Sequence, residues 1–334
     1  MNRAIPSAAE GAPAMGSDTT IEALALEGFD RAPEVIHVPA PQPAAGEVLV
    51  RVHAASVNAF DTFVAMGMAK AFMSYEFPAV IGQDVAGVVE AVGDGVEGFR
   101  NGDRVFGTIG SKGVVHDGTF AELATPLAAA LATTPDAVDH QQAGSLGVAG
   151  TTAMSAVDAI DPSRGATALI VGATGGVGTF AIQLAAARGA NVIATIRPGD
   201  EDVVTGLGAA ETVDYSNNVI GAVRERYPDG IDAVIDLVNR DPGEFGALAG
   251  LVRAGGRAVS ALGGAGEVSQ VDGIDVQNIG SDPSHLGVLA SMIEEGKLTT
   301  AIKRTYALSD AAQALTDFAD LHTVGKLVIM MPVV

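Results

Sequence analysis

The sequence predicts an α/β chain of two domains, a β-rich one followed by a doubly wound parallel sheet, and three observations carry that reading. Its 334 residues are enough for two domains of ordinary size, about 100–200 residues each. Short apolar runs of period 2, broken by Gly, Pro and Asp, fill the first third of the chain. From Ala166 to about Gly296, apolar strands alternate with helix-length segments, which is the pattern of βαβ units.

Composition narrows the function classes. A hydrophobic fraction of 48% against 18% charged residues is enough to build folded cores. Asp and Glu number 40 against 19 Lys and Arg, a net charge of -21 that repels phosphate backbones and anionic lipid. Nucleic acid and membrane surfaces are therefore not expected as partners. Cysteine is absent, which excludes disulfides, thiolate nucleophiles and every zinc site that needs sulfur. With no run of 18 apolar residues and no basic segment leading into an apolar one, the expected compartment is the cytoplasm.

Taken in order, residues 1–19 are rich in Ala, Gly, Pro and Ser without periodicity and read as a flexible leader, with Met15 an alternative start. Residues 20–145 follow as the β-rich domain. Gly46–Val52 and Val85–Val92 are its clearest strands, and Gly93–Asn101 with Gly102-Asp103-Arg104-Val105 supplies tight, glycine-dependent reversals. Residues 146–299 form the parallel-sheet domain, with strands at Ala168–Val171, Val192–Thr195, Ala233–Asp236 and Ala258–Ala261. The tail, 300–334, carries a helix at Asp310–Leu315 and a last strand at Lys326–Met330 that lies outside the βαβ series and is expected to return to the first domain.

The sharpest local signal is Gly172-Ala173-Thr174-Gly175-Gly176-Val177-Gly178, set between a buried strand and a helix. A dinucleotide site needs this arrangement. Glycine permits positive φ and close backbone approach, and the helix start turns unpaired N–H groups and a positive dipole end toward a pyrophosphate. Ala173 takes the first position of the G-x-G-x-x-G form, with Gly175 and Gly178 completing it. Nineteen residues beyond Gly178, where an NAD site carries an acid for the ribose 2′-hydroxyl, stands Arg197. A guanidinium pairs with a 2′-phosphate that a carboxylate would repel, so NADPH is the expected cofactor. Against it stand a plain surface arginine as the alternative and the acids Asp200, Glu201 and Asp202 close behind.

Gly82-Gln83-Asp84-Val85-Ala86-Gly87-Val88-Val89, the Gly102–Val105 turn and the Gly172–Gly178 fingerprint together resemble the medium-chain dehydrogenase/reductase superfamily, most closely its zinc-independent quinone oxidoreductase branch. The resemblance spans about Ile21 to Met330 and implies a GroES-like catalytic domain, a Rossmann domain and a cleft between them. By motif, the cysteine, histidine and second cysteine that hold catalytic zinc in related alcohol dehydrogenases correspond here to Asn58, Gln83 and Val148, so no metal is expected. The six histidines show no ligand spacing and read as surface or packing residues.

The resemblance also assigns roles residue by residue. Asn58 in Val57-Asn58-Ala59-Phe60-Asp61-Thr62-Phe63 matches an asparagine lining the nicotinamide and substrate cleft, and is the expected catalytic residue, its amide binding a carbonyl oxygen. Asp61 matches a structural hydrogen-bonding position. Phe63 replaces a tyrosine common there, which removes a phenolic proton donor; Tyr75 is the available substitute. Thr152 resembles a threonine beside the nicotinamide, and Tyr215 a tyrosine near the 2′-phosphate. Val238 and Leu262-Gly263 would approach the cofactor through their backbone at strand ends. Lys326 in Gly325-Lys326 resembles a cofactor-side lysine, a solvated lysine opening the last strand being the alternative. A homodimer joined through Rossmann edge strands, Ala258–Leu262 with Ile274–Ile279, is implied by the family alone.

Without a metal, hydride transfer needs an acceptor that is already electrophilic. Three functions meet the residues: NADPH-dependent reduction of a quinone or other activated carbonyl acceptor, double-bond reduction of an enone or enoyl thioester, or an NADPH-binding sensor or structural protein with little turnover. In the first two, the proton comes from water or the cofactor ribose.

Overall fold

The structure, a computed structural model, describes residues 19–267 and 269–332. The leader and the Met15 alternative fall almost wholly outside that range.

In the first region, alternation decides the layers. Thr20–Leu26 and Val48–Ser56 bury one face on a shared core that includes Leu24, Val50, Val52, Ile81 and Phe120, each 2% exposed or less. Val48–Ser56 pairs antiparallel with Asp84–Val92, which pairs antiparallel with Arg104–Thr108, so the glycine-rich run between the last two is the reversal its turn residues demand. On its other edge, Val48–Ser56 pairs with Lys326–Met330 from the far end of the chain. One more tail strand, Ile302–Ala307, lies parallel beside that one. The sequence pattern misses it because IKRTYA is polar and mostly exposed.

The second region reads differently because its strands are buried on both faces. Thr167–Val171, Asn191–Ile196 and Ile231–Asp236 are near-continuous apolar runs covered by helices. Helix Gly176–Ala187 packs Phe180, Ile182 and Leu184 against the sheet and against helix Gly147–Ile160. Each such side chain, fully buried, contributes about 1.5–3 kcal/mol of apolar stabilisation.

The strand order across this sheet is Glu211–Asp214, Asn191–Ile196, Thr167–Val171, Ile231–Asp236, Val252–Ser260 and Ile274–Asn278, all parallel. The order reverses between Thr167–Val171 and Ile231–Asp236, which opens a crevice at their carboxyl ends. The expected dimer edge is corrected here. Ala258–Ser260 lies in an interior strand with partners on both sides, and Gln270–Val271 covers Ile274 and Asp275 of the outer one. The Val276 N–H is taken as well, by Ser269 O at 3.0 Å.

His53 and His140 stack at 4.3 Å, a packing contact. Burial and the nearby charges of His53 and Arg104 push His140 down to about 4.

Candidate active site

The glycine-rich turn sits at that crevice. A Cβ on Gly178 would run into the carbonyl oxygens of Gly172 and Ala173, so the helix approaches the turn this closely only with glycine there. The first intrahelical bond runs from the Thr179 N–H to Gly175 O. By helix geometry, the N–H groups before it have no intrahelical acceptor and face the crevice. The loop after Ile231–Asp236 is tied down by the buried Asp236 carboxylate, which accepts from the N–H groups of Val238 (3.1 Å) and Asn239 (3.2 Å). In the same way, Ser260 Oγ accepts from the N–H groups of Leu262 (3.3 Å) and Gly264 (2.9 Å) and shapes the Leu262-Gly263 turn.

The tail closes over the cradle. The Gly325 N–H donates to Thr174 O at 2.8 Å, and a side chain at Gly325, whose φ is +86°, would strike Ala301 O. Arg197 and Tyr215 follow neighbouring strands and meet, guanidinium over ring, at 5.5 Å. Both are exposed.

Lys326 is where the sequence offers two readings and the structure selects against the solvated one. Its side chain is 3% exposed. The ammonium donates to Asn58 Oδ1 at 2.6 Å and to Val57 O at 3.0 Å, and lies 3.6 Å from the Asp84 carboxylate. Asp84 accepts from Ser56 Oγ (2.5 Å), Asn58 Nδ2 (2.8 Å) and the Val148 N–H (2.6 Å). Asn58 Nδ2 also donates to Ser56 O at 3.2 Å. Asp61 caps the helix Ala59–Ala65, accepting from the Asn58 N–H at 2.7 Å, and its Oδ1 is buried without a partner. Burial pushes Asp61 up to about 8, Asp84 adding to the rise and the Asn58 hydrogen bonds and Lys326 opposing it. Burial also lowers Lys326, with Asp84 and Asp61 pulling it back.

Asp84 is the residue that sequence reasoning missed. The available signal was a carboxylate at the head of an apolar strand run, directly after the Gln83 that matches a zinc-ligand position. Thr152 is buried in helix Gly147–Ile160. Tyr75 Oη donates to Val64 O at 3.0 Å, so its proton is committed to the backbone. Phe63 stacks on Phe72 at 6.0 Å and carries the Arg240 guanidinium over its ring at 5.4 Å, which joins an aromatic group of the first region to the loop after Ile231–Asp236 in the second.

The comparisons with known proteins agree with this geometry. Residues 44–136 match the alcohol dehydrogenase GroES-like domain, and residues 207–329 match the zinc-binding dehydrogenase model. The chain is 30% identical to the chloroplast envelope quinone oxidoreductase homolog of Arabidopsis thaliana, covering 89% of this chain and 93% of that one. It is 32% identical to quinone oxidoreductase of Rattus norvegicus over 88% and 92%. The chain belongs to the medium-chain dehydrogenase/reductase superfamily, in its quinone oxidoreductase branch. The solved quinone oxidoreductase of Coxiella burnetii superposes with a TM-score of 0.84 at 27% identity, covering 94% of this chain and all of that one.

The zinc in one family model's name finds no fit in this family member. The three positions that match zinc ligands by motif hold an amide, Asn58, a second amide, Gln83, and an alkyl group, Val148. The Asp84 carboxylate beside them already faces the Lys326 ammonium, so a second cation there would meet like charge. Among the described residues, no group of three or more His, Asp or Glu side chains is placed to hold a metal ion.

Proposed function

We propose that the chain is an NADPH-dependent reductase that transfers hydride to a quinone or another activated carbonyl acceptor in the cleft between its two domains, 20–145 with 300–334 and 146–299. The observation that carries this reading is the buried Lys326–Asn58–Asp84 cluster, which puts an amide and an ion pair where zinc and its ligands would stand. With no Lewis acid to polarise an inert carbonyl, the acceptor has to arrive electrophilic.

The cradle of Gly172, Ala173, Thr174, Gly175, Gly176, Val177 and Gly178 would hold the pyrophosphate, with Val238, Leu262 and Gly263 bordering the rest of the cofactor and Thr152 beside the nicotinamide. The cofactor, when bound, supplies the hydride. Arg197 and Tyr215 support NADPH over NADH.

Asn58 is proposed as the catalytic hydrogen-bond donor. Its oxygen is fixed by Lys326 and one amide hydrogen by Asp84, and the longer bond to Ser56 O is the one that can be exchanged for the acceptor oxygen. Lys326 and Asp84 act here as positioning residues, and the proton follows from water or the cofactor ribose. A cytoplasmic homodimer, joined at the sheet edge around Gln277 and Asn278, belongs to the same reading.

The test is NADPH oxidation by chelator-dialysed protein against an ortho-quinone, a para-quinone and a short alkenal. Saturable turnover with a quinone, reduced at least about ten-fold in kcat by Asn58→Ala, an effect of ~1.4 kcal/mol on the barrier, is expected. Turnover of the alkenal alone, or Asn58→Ala equal to wild type, would overturn the acceptor or the role of Asn58 respectively.

A further inference from the structure

His322 lies in the short loop between helix Ala311–Asp320 and strand Lys326–Met330, in the half of the molecule that does not carry the glycine-rich turn. The loop crosses to the other half. At one end, Gly325 bonds Thr174 in the cradle; at the other, His322 Nε2 lies 2.7 Å from Asp200 Oδ2, and its Nδ1 is 3.4 Å from Tyr215 Oη. The imidazole and the Asp200 carboxylate are each about four-fifths buried, at 22% and 17% exposure, so their pairing is shielded from solvent more than a surface bridge would be.

Resting on the NADPH reading, the geometry points to the His322–Asp200 pair as the cross-domain element that makes this ribose site accept a 2′-phosphate. Four acids surround the position that Arg197 and Tyr215 mark. Asp214 is spent on the N–H and hydroxyl of Ser216 and on the Asn217 amide. Glu201 takes the Gly199 N–H at 2.7 Å, and both it and Asp202 are exposed in the first turn of the next helix, where solvent screens them. Asp200 remains, and it is the acid that His322 covers. His322 occupies Asp200 Oδ2 through Nε2 and turns its other ring nitrogen, Nδ1, toward Tyr215 Oη, so the carboxylate is tied up by a group from the other half of the molecule. Without that cover, a carboxylate faces the same space as the Arg197 guanidinium and cancels its attraction for a phosphate dianion.

The pair also explains why the acid following Arg197 need not select for NADH. A carboxylate in the ribose region favours a free 2′-hydroxyl only when it is open to accept from it, and here its Oδ2 is occupied by a group supplied from the other domain.

The experiment is calorimetric titration of the full-length protein with NADPH and with NADH. For the wild type, NADPH binds more tightly. His322→Gln, which leaves Asp200 uncovered, is expected to weaken NADPH by about ten-fold (~1.4 kcal/mol) while NADH is unchanged, and His322→Gln/Asp200→Asn is expected to recover most of that loss. The inference is overturned if His322→Gln leaves the NADPH-to-NADH ratio intact, if it weakens both cofactors equally, as mere displacement of the loop would, or if the double variant stays as weak as the single one. A wild type that binds NADH as tightly as NADPH would bring down the NADPH reading itself, which separates that failure from this one.

Discussion

The cofactor cradle and the polar cluster beneath the cleft are built in opposite ways. The proposed cradle is a continuous stretch, Gly172–Gly178, that offers backbone N–H groups at a helix start and whose side chains matter mainly by being absent. The cluster has no local signature. Ser56 and Asn58 meet Asp84 across 28 and 26 residues of sequence, Val148 meets it across 64, and Lys326 meets Asn58 across 268. A site made of backbone is fixed by local glycine sterics, whereas one made of buried charges is fixed only once every strand that carries a member is in register.

Substitutions in the two places should therefore fail differently, and the largest effect is expected in the cluster. Lys326→Met leaves the fully buried Asp84 without its cation and should cost about 3 kcal/mol or more in chemical denaturation. Adding Asp84→Asn should return part of it. Equal stability of Lys326→Met and wild type would mean that the three hydrogen bonds to Asp84 suffice alone.

The cradle should lose binding and keep its fold. A Cβ at Gly175 meets nothing closer than Gly172 O at 3.4 Å, ordinary contact, so Gly175→Ala should melt within a few degrees of wild type. Its added methyl nonetheless stands where the backbone must approach the pyrophosphate, and NADPH binding should weaken about ten-fold, ~1.4 kcal/mol. Unchanged affinity would place the pyrophosphate elsewhere.

The finest distinction is in pH. The native state holds a proton on Asp61 up to about 8, against an ordinary value of 3.8 for the unfolded chain. Between those values the native state binds the extra proton, so Asp61 costs stability progressively as pH rises from about 4 to 8. Asp61→Asn removes that dependence, and its stability relative to wild type should climb by at most ~1.4 kcal/mol per pH unit between pH 5 and 7. Parallel urea curves at both pH values would show that Asp61 ionises in the native state as freely as in solution.

Several elements were legible in the sequence for definite reasons. Parallel strands such as Ala168–Val171 and Ala233–Asp236 are apolar on both faces, and the turn between strand and helix is spelled out in glycine. Val252–Arg257 was missed as the start of its strand because glycines and exposed residues mask the pattern and the register shifts between Ile231 and Ala233. Ala258–Ser260 was taken for an edge because pairing on both sides is a property of the sheet and not of the segment.

The sequence by itself determined the fold class, the glycine-rich turn between strand Thr167–Val171 and helix Gly176–Ala187 and the absence of thiolate ligands, because periodicity, glycine sterics and side-chain chemistry act over a few residues. Only the tertiary structure decided that Lys326 is buried against Asn58 and Asp84, that Tyr75 spends its hydroxyl on Val64, and that His322 covers Asp200. Each of these joins residues at least 11 positions apart. Their energies depend on burial and on a partner's charge, and neither quantity exists until the chain has closed.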